Sequence, residues 1–138
     1  AREVSQRVFR LSQSFPKEEM YSLTDQLRRA ARSVGAQIAE SWAKRRYEKH
    51  FVSKLTDADA EQLETQHWIS EALDCGYLAP AYAAQMNSDL EEIGRMLCSM
   101  MEKADTFCGS SDGSLREVST DYFASSHERL ITAQAPAP

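Results

Sequence analysis

The chain has 138 residues, 42% hydrophobic and 27% charged, the composition of one ordinary globular domain with or without a tail. Only three glycines and two prolines fall within residues 1–108, too few turn-formers for a sandwich or barrel of short strands. The net charge of −5 conceals a split: residues 1–56 carry twelve Lys/Arg against six Asp/Glu, whereas residues 57–138 carry four against fifteen.

Such polarity gives one molecule a basic and an acidic docking face at once. No run of 18 apolar residues offers a membrane span, and the first residues lack the apolar core of a secretion signal. Cys75, Cys98 and Cys108 make an odd count without CxxC spacing, as expected of a reduced, cytoplasmic protein.

In chain order, the first segment places Val4, Val8 and Leu11 at helical spacing, with Phe9 beside them, and stops at Ser14-Phe15-Pro16. Pro16 is expected to open the second helix at its first position, with Lys17-Glu18-Glu19 in the first turn. Met20, Leu23, Leu27, Ala30/Ala31, Val34, Ile38 and Ser41/Trp42 then repeat at threes and fours, and Gly35 within this run predicts close approach of a neighbouring helix. Lys44-Arg45-Arg46 marks its end.

The third segment, about Tyr47 to Cys75, shows the stripe Phe51, Leu55, Ala58, Gln62, Ile69 and Ala72/Leu73, with Leu63 and Trp68 offset. Gly76 is the expected left-handed cap and Pro80 the opening of a fourth helix. That helix carries Tyr82, Met86, Leu90, Ile93, Leu97, Met100, Ala104 and Phe107 at near-heptad spacing, read as one continuous rod. Short connections make sequential helices antiparallel, so the expected fold is an all-α, up-down antiparallel four-helix bundle over residues 1–108. Residues 109–138 read as a linker-like tail, opening Gly109-Ser110-Ser111-Asp112-Gly113-Ser114 and containing a weak helix through Leu115, Val118, Tyr122 and Leu130.

Chemistry in such bundles begins with carboxylate-bridged metal pairs, which need two Glu-x-x-His units. Only Glu64-Thr65-Gln66-His67 occurs; Tyr47 and Ala124 stand three residues before His50 and His127. The cysteines have no local His or Asn signature, and no glycine loop for phosphate is present. No enzyme activity, metal, cofactor or small-molecule substrate is therefore expected. The basic residues are the more informative signal. Arg28, Arg29 and Arg32 share a flank of the second helix, and Lys44, Arg45, Arg46 and Lys49 gather at its far end, a set of cations suited to a nucleic-acid backbone. Gln26, Ala30, Ser33 and Gln37 form a second stripe of small and amide residues, fit either for the bundle interior or for a subunit boundary. The acidic later helices and tail offer the alternative role of an adaptor for a basic protein partner.

Phe15-Pro16-Lys17-Glu18-Glu19, Ser22 to Val34 (SLTDQLRRAARSV), Ile38-Ala39-Glu40, Leu63-Glu64-Thr65-Gln66 and Gly76-Tyr77-Leu78 together resemble a small bacterial family. Its members are the four-helix-bundle proteins encoded in intervening sequences of 23S ribosomal RNA genes, and the accessory variability proteins of diversity-generating retroelements look like relatives. The resemblance spans about residues 5–105. Here Gln37-Ile38-Ala39-Glu40-Ser41 stands where the family has Asn-Ile-Ala-Glu-Gly. The resemblance implies a ring-like homopentamer of up-down bundles without catalysis. For the retroelement members it implies binding of nucleic acid and a reverse transcriptase through a basic surface, which by position falls on Arg28, Arg29 and Arg32, then Lys44, Arg45 and Arg46.

Overall fold

The computed structural model describes residues 1–109, which are all-helical without a strand among them. The expected linker beyond Gly109 and the helix through Leu115, Val118, Tyr122 and Leu130 lie outside the described residues. The helices are α1 (Arg2–Ser12), α2 (Leu23–Ala43), α3 (Glu48–Asp74), α4 (Pro80–Glu102) and a short α5 (Ala104–Cys108).

α3 is the central rod. Phe51, Leu55, Ala58, Gln62, Thr65, Ile69 and Ala72 recur at alternating four and three, and every one of them is buried. Such spacing keeps one seam facing the neighbours along the whole helix. The two polar members are satisfied within α3. Gln62 Nε2 donates to Asp59 Oδ1 at 3.0 Å while its Oε1 accepts from Gln66 Nε2 at 2.7 Å, and the Thr65 hydroxyl donates to the Glu61 carbonyl at 2.8 Å.

α2 packs along one side of α3 and α4 along the other; α1 packs on α2 and touches α4, and α2 and α4 do not meet. The pairings run antiparallel. Lys54 on α3 reaches Gln37 and Glu40 on α2, Thr56 on α3 reaches Met101 on α4, and Arg28 on α2 reaches Ser12 at the far end of α1. This is the expected up-down bundle, closed by an ion pair between Arg7 of α1 and Asp89 of α4. α1 has 11 residues against 23 in α4, so it covers only part of the bundle's length.

The connections explain where the pattern and the structure differ. Pro16 does not open α2: it is extended at φ −54°, ψ 145°, and a 3₁₀ turn over Lys17–Glu19 follows before α2 starts at Leu23. The Glu19 carboxylate accepts from the Leu23 N–H at 3.4 Å and from the Ser22 hydroxyl, supplying the acceptor that the helix start needs. These contacts, with the Tyr77 hydroxyl as a further donor, hold the Glu19 carboxyl below the usual carboxylate range. Met20 consequently lies outside α2 and is exposed rather than in the apolar stripe. Phe15, by contrast, is buried with its ring 5.6 Å from Tyr77, which ties the α1–α2 connection to the α3–α4 turn.

Gly76 ends α3 as expected, at φ +75°: its N–H donates to the Leu73 carbonyl and that of Tyr77 to the Ala72 carbonyl, both at 2.9 Å. Pro80 opens α4 at the first helical position. Two other expectations change. Gly35 has no close neighbour, since a Cβ there would find only Ala1 Cβ at 3.9 Å; the tight helix contact is at Gly94 of α4, where a Cβ would stand 3.0 Å from Gln62 Nε2. The fourth helix is also not one rod: it breaks at Lys103, and α5 turns Phe107 to within 5.9 Å of the Phe51 ring and 6.4 Å of Trp42.

Candidate nucleic-acid interface

The arginines of α2 point in different directions. Arg28 is half-buried, with Nε donating to Ser12 Oγ at 2.7 Å and its guanidinium 4.9 Å from the centre of the Phe9 ring. Arg32, one turn on and exposed, places its guanidinium 5.7 Å from the same ring. Phe9 is 40% exposed, because it lies off the Val4–Val8 face that α1 buries. An open depression of about 390 Å³, lined by Ser5, Gln6, Phe9, Arg10 and Arg32, adjoins it. Neither Arg10, Arg28 nor Arg32 forms an ion pair among the described residues. The result is an exposed aromatic ring flanked by two guanidinium groups that keep their charge available.

Arg29 does not join them. It pairs with Asp25 one turn back at 3.8 Å and acts on Glu61 of α3. Burial, followed by the neighbouring Glu64 and Asp57 carboxylates, raises the Glu61 carboxyl above its usual range, and Arg29 opposes that rise. The sequence placed the three arginines on one flank; the structure divides them between the α1 side and the α3 side.

The second basic group surrounds the α2–α3 connection. Lys44, Arg45, Arg46 and Lys49 are all exposed there. Arg45 lies over the Trp42 ring at 4.4 Å and donates to the Trp42 carbonyl at 2.8 Å; Arg46 lies over Tyr47 at 5.7 Å. Trp42 is 49% and Tyr47 58% exposed.

Of the stripe Gln26, Ala30, Ser33 and Gln37, two members are turned into the protomer. Ala30 is buried, and Gln37 Oε1 accepts from Lys54 Nζ at 3.1 Å. Gln26 lines a groove of about 370 Å³ with Glu19, Ser22, Leu23, Trp68 and Glu71. Ala30 thus packs inside the bundle, while Gln26, Ser33 and Gln37 keep part of their surface exposed. Glu64, of the Glu-x-x-His unit, accepts from Trp68 Nε1 at 3.0 Å, and the His67 ring rests 4.8 Å from Trp68. No group of three or more His, Cys, Asp or Glu that could hold a metal ion occurs among the described residues. No described helix is long and apolar enough to cross a membrane.

The rings Phe9, Trp42 and Tyr47 escaped the sequence reading as site residues. Part of their signal was there: each is an aromatic residue with Arg within four positions.

Fold and surface together define a helical-bundle protein whose paired cations and exposed rings gather on α1, α2 and the α2–α3 connection. Residues 1–99 match the family model described as 23S rRNA-intervening sequence protein, and the chain belongs to that family. It is also similar to a crystal structure of a protein of unknown function from the S23 ribosomal protein family of Bacteroides thetaiotaomicron. That protein is 25% identical, with a TM-score of 0.66 over 72% of this chain and 93% of the other. No curated protein matches this chain.

Proposed function

We propose that this protein is a non-catalytic scaffold that associates with RNA or a nucleoprotein through the Phe9–Arg28–Arg32 face and assembles with copies of itself. The observation that carries the reading is the pair of guanidinium groups over one exposed ring, neither of them in an ion pair among the described residues. Cations so placed exchange condensed counterions for phosphate contacts, and a ring between them adds a surface for a base. The resemblance to retroelement accessory proteins supports the same use of a basic surface, and the family's ring-like homopentamer is the assembly we propose.

Binding of a labelled RNA across a salt series tests this. Arg28→Gln and Arg32→Gln should each weaken binding and lower the salt slope by roughly one, whereas Arg29→Gln, already paired with Asp25, should leave the slope unchanged. Equal affinity in all three variants and the parent discards the proposal. Light scattering of the same samples should give about five protomer masses.

A second reading has its own observation. Glu19 and Glu71 line the groove beside Trp68, and Asp57, Glu61 and Glu64 gather on α3 nearby, an acidic surface suited to a basic protein partner. Retention of a protein partner after nuclease treatment, lost with Glu71→Lys, would favour this adaptor role.

A further inference from the structure

We infer that the α2–α3 connection is a stacking platform for single-stranded RNA, a finer statement that rests on the RNA reading above. Two independent features meet there. Within residues 42–50, Lys44, Arg45, Arg46 and Lys49 oppose a single carboxylate, Glu48. The same nine residues carry two rings, Trp42 and Tyr47, that are about half exposed although apolar burial normally hides such surface.

The rings are held rather than loose. Trp42 has the Arg45 guanidinium over its face and meets Phe107 edge-on, at 72° and 6.4 Å. Tyr47 has Arg46 at 5.7 Å and His50 tilted at 52°, 5.5 Å away. Holding a ring in place before binding removes part of the ordering cost of contact. Each ring therefore sits beside a planar cation, and both planes suit the face of a base.

This geometry selects single strands. In a duplex the base faces are already stacked on one another, and only edges and phosphates are available to a protein. A platform of exposed rings between cations instead takes unstacked bases in succession, with little preference among sequences. Phe9 differs in degree: two guanidinium groups lie over its one ring, against one over each of Trp42 and Tyr47, so that face offers more phosphate contacts per ring.

The test uses the full chain carrying Trp68→Phe, which leaves Trp42 as the sole tryptophan. Adding a 12-residue oligouridylate should quench Trp42 emission, while a self-complementary RNA duplex of the same length should not. Tyr47→Ala should weaken oligouridylate binding about tenfold without changing its salt slope, since stacking releases no counterions. Lys44→Ala should lower the slope by about 0.7. Trp42→Leu should act like Tyr47→Ala. If its loss of the Phe107 contact prevents folding, the tyrosine variant and the quenching of Trp42 still decide the matter.

Duplex and single strand quenching Trp42 alike, with Tyr47→Ala silent and Arg28→Gln still weakening RNA, would overturn the platform and leave the RNA reading intact. Absence of binding to either RNA would end both. Displacement of oligouridylate by polyglutamate at equal charge concentration would instead assign the turn to an acidic protein segment, and the platform would again fall.

Discussion

Gly94 of α4 lies against Gln62 of α3 so closely that a Cβ at position 94 would stand 3.0 Å from Gln62 Nε2 and 3.4 Å from Asp59 Oδ1. Gln62 is the terminus of no loose chain: Asp59 and Gln66 hold its two ends by hydrogen bonds, and it is buried. A methyl group would push it by a few tenths of an ångström and strain its bond to Asp59. Gly94→Ala is therefore expected to cost ~1 kcal/mol despite the better helix propensity of alanine. Gly35→Ala, with nothing nearer than 3.9 Å, should gain ~0.5–1 kcal/mol by the same propensity. Urea denaturation of the two variants gives opposite signs if the tight helix contact is at Gly94.

Arg7 and Asp89 join the first and last long helices and so close the bundle. Their side chains are only 19% and 27% exposed, and the hydrogen bond from Arg7, then that from Gln85, holds the Asp89 carboxyl below the usual Asp range. A carboxyl depressed on folding stabilises the protein above its unfolded value of ~3.9, and the contribution disappears as pH falls through the lower folded value. Arg7→Met should cost ~1 kcal/mol at pH 7. The difference between variant and parent should narrow below about pH 4, as urea midpoints at pH 7, 4 and 3 would show.

Glu61 has the reverse sign. Burial, then Glu64 and Asp57, raises its carboxyl, so its protonated form is favoured in the folded chain. A raised value contributes stability below the unfolded value of ~4.3, which is lost as pH rises through the folded one. Glu61→Gln should thus be more stable than the parent by ~0.5 kcal/mol at pH 7 and no different at pH 3. Removing the opposing cation with Arg29→Gln should destabilise at pH 7 and do nothing at pH 3. Equal effects at both pH values would contradict this account.

The helices and their order were legible in the sequence because periodicity reports burial directly. Phe51, Leu55, Ala58, Ile69 and Ala72 form the α3 seam that their spacing announced, and Gly76 and Pro80 mark the turn that their backbone chemistry requires. Thr65 was missed as a seam member because a hydroxyl reads as polar, although its bond to the Glu61 carbonyl lets it be buried. The close contact expected at Gly35 falls at Gly94 for a similar reason. Which glycine meets a neighbour depends on the partner helix, and no local pattern carries that. The site was only half visible: charge located Arg28 and Arg32, but the turn of Arg29 toward Glu61 follows from the packing of α2 on α3.

The break at Lys103 illustrates the same limit and yields a direct test. A continuous helix would carry Phe107 on along the α4 axis to the first turn of α3. The break instead returns Phe107 onto Phe51 and Trp42, covering the end of the core where α1 does not reach. Phe107→Ala should then cost ~2 kcal/mol, the scale of removing a partly buried aromatic ring. It should also shift Trp42 emission to the red in a Trp68→Phe background, as the indole loses its edge contact. An exposed ring on an unbroken helix would cost under ~0.5 kcal/mol and leave the emission unmoved. Thermal unfolding followed by tryptophan fluorescence separates the two outcomes in one experiment.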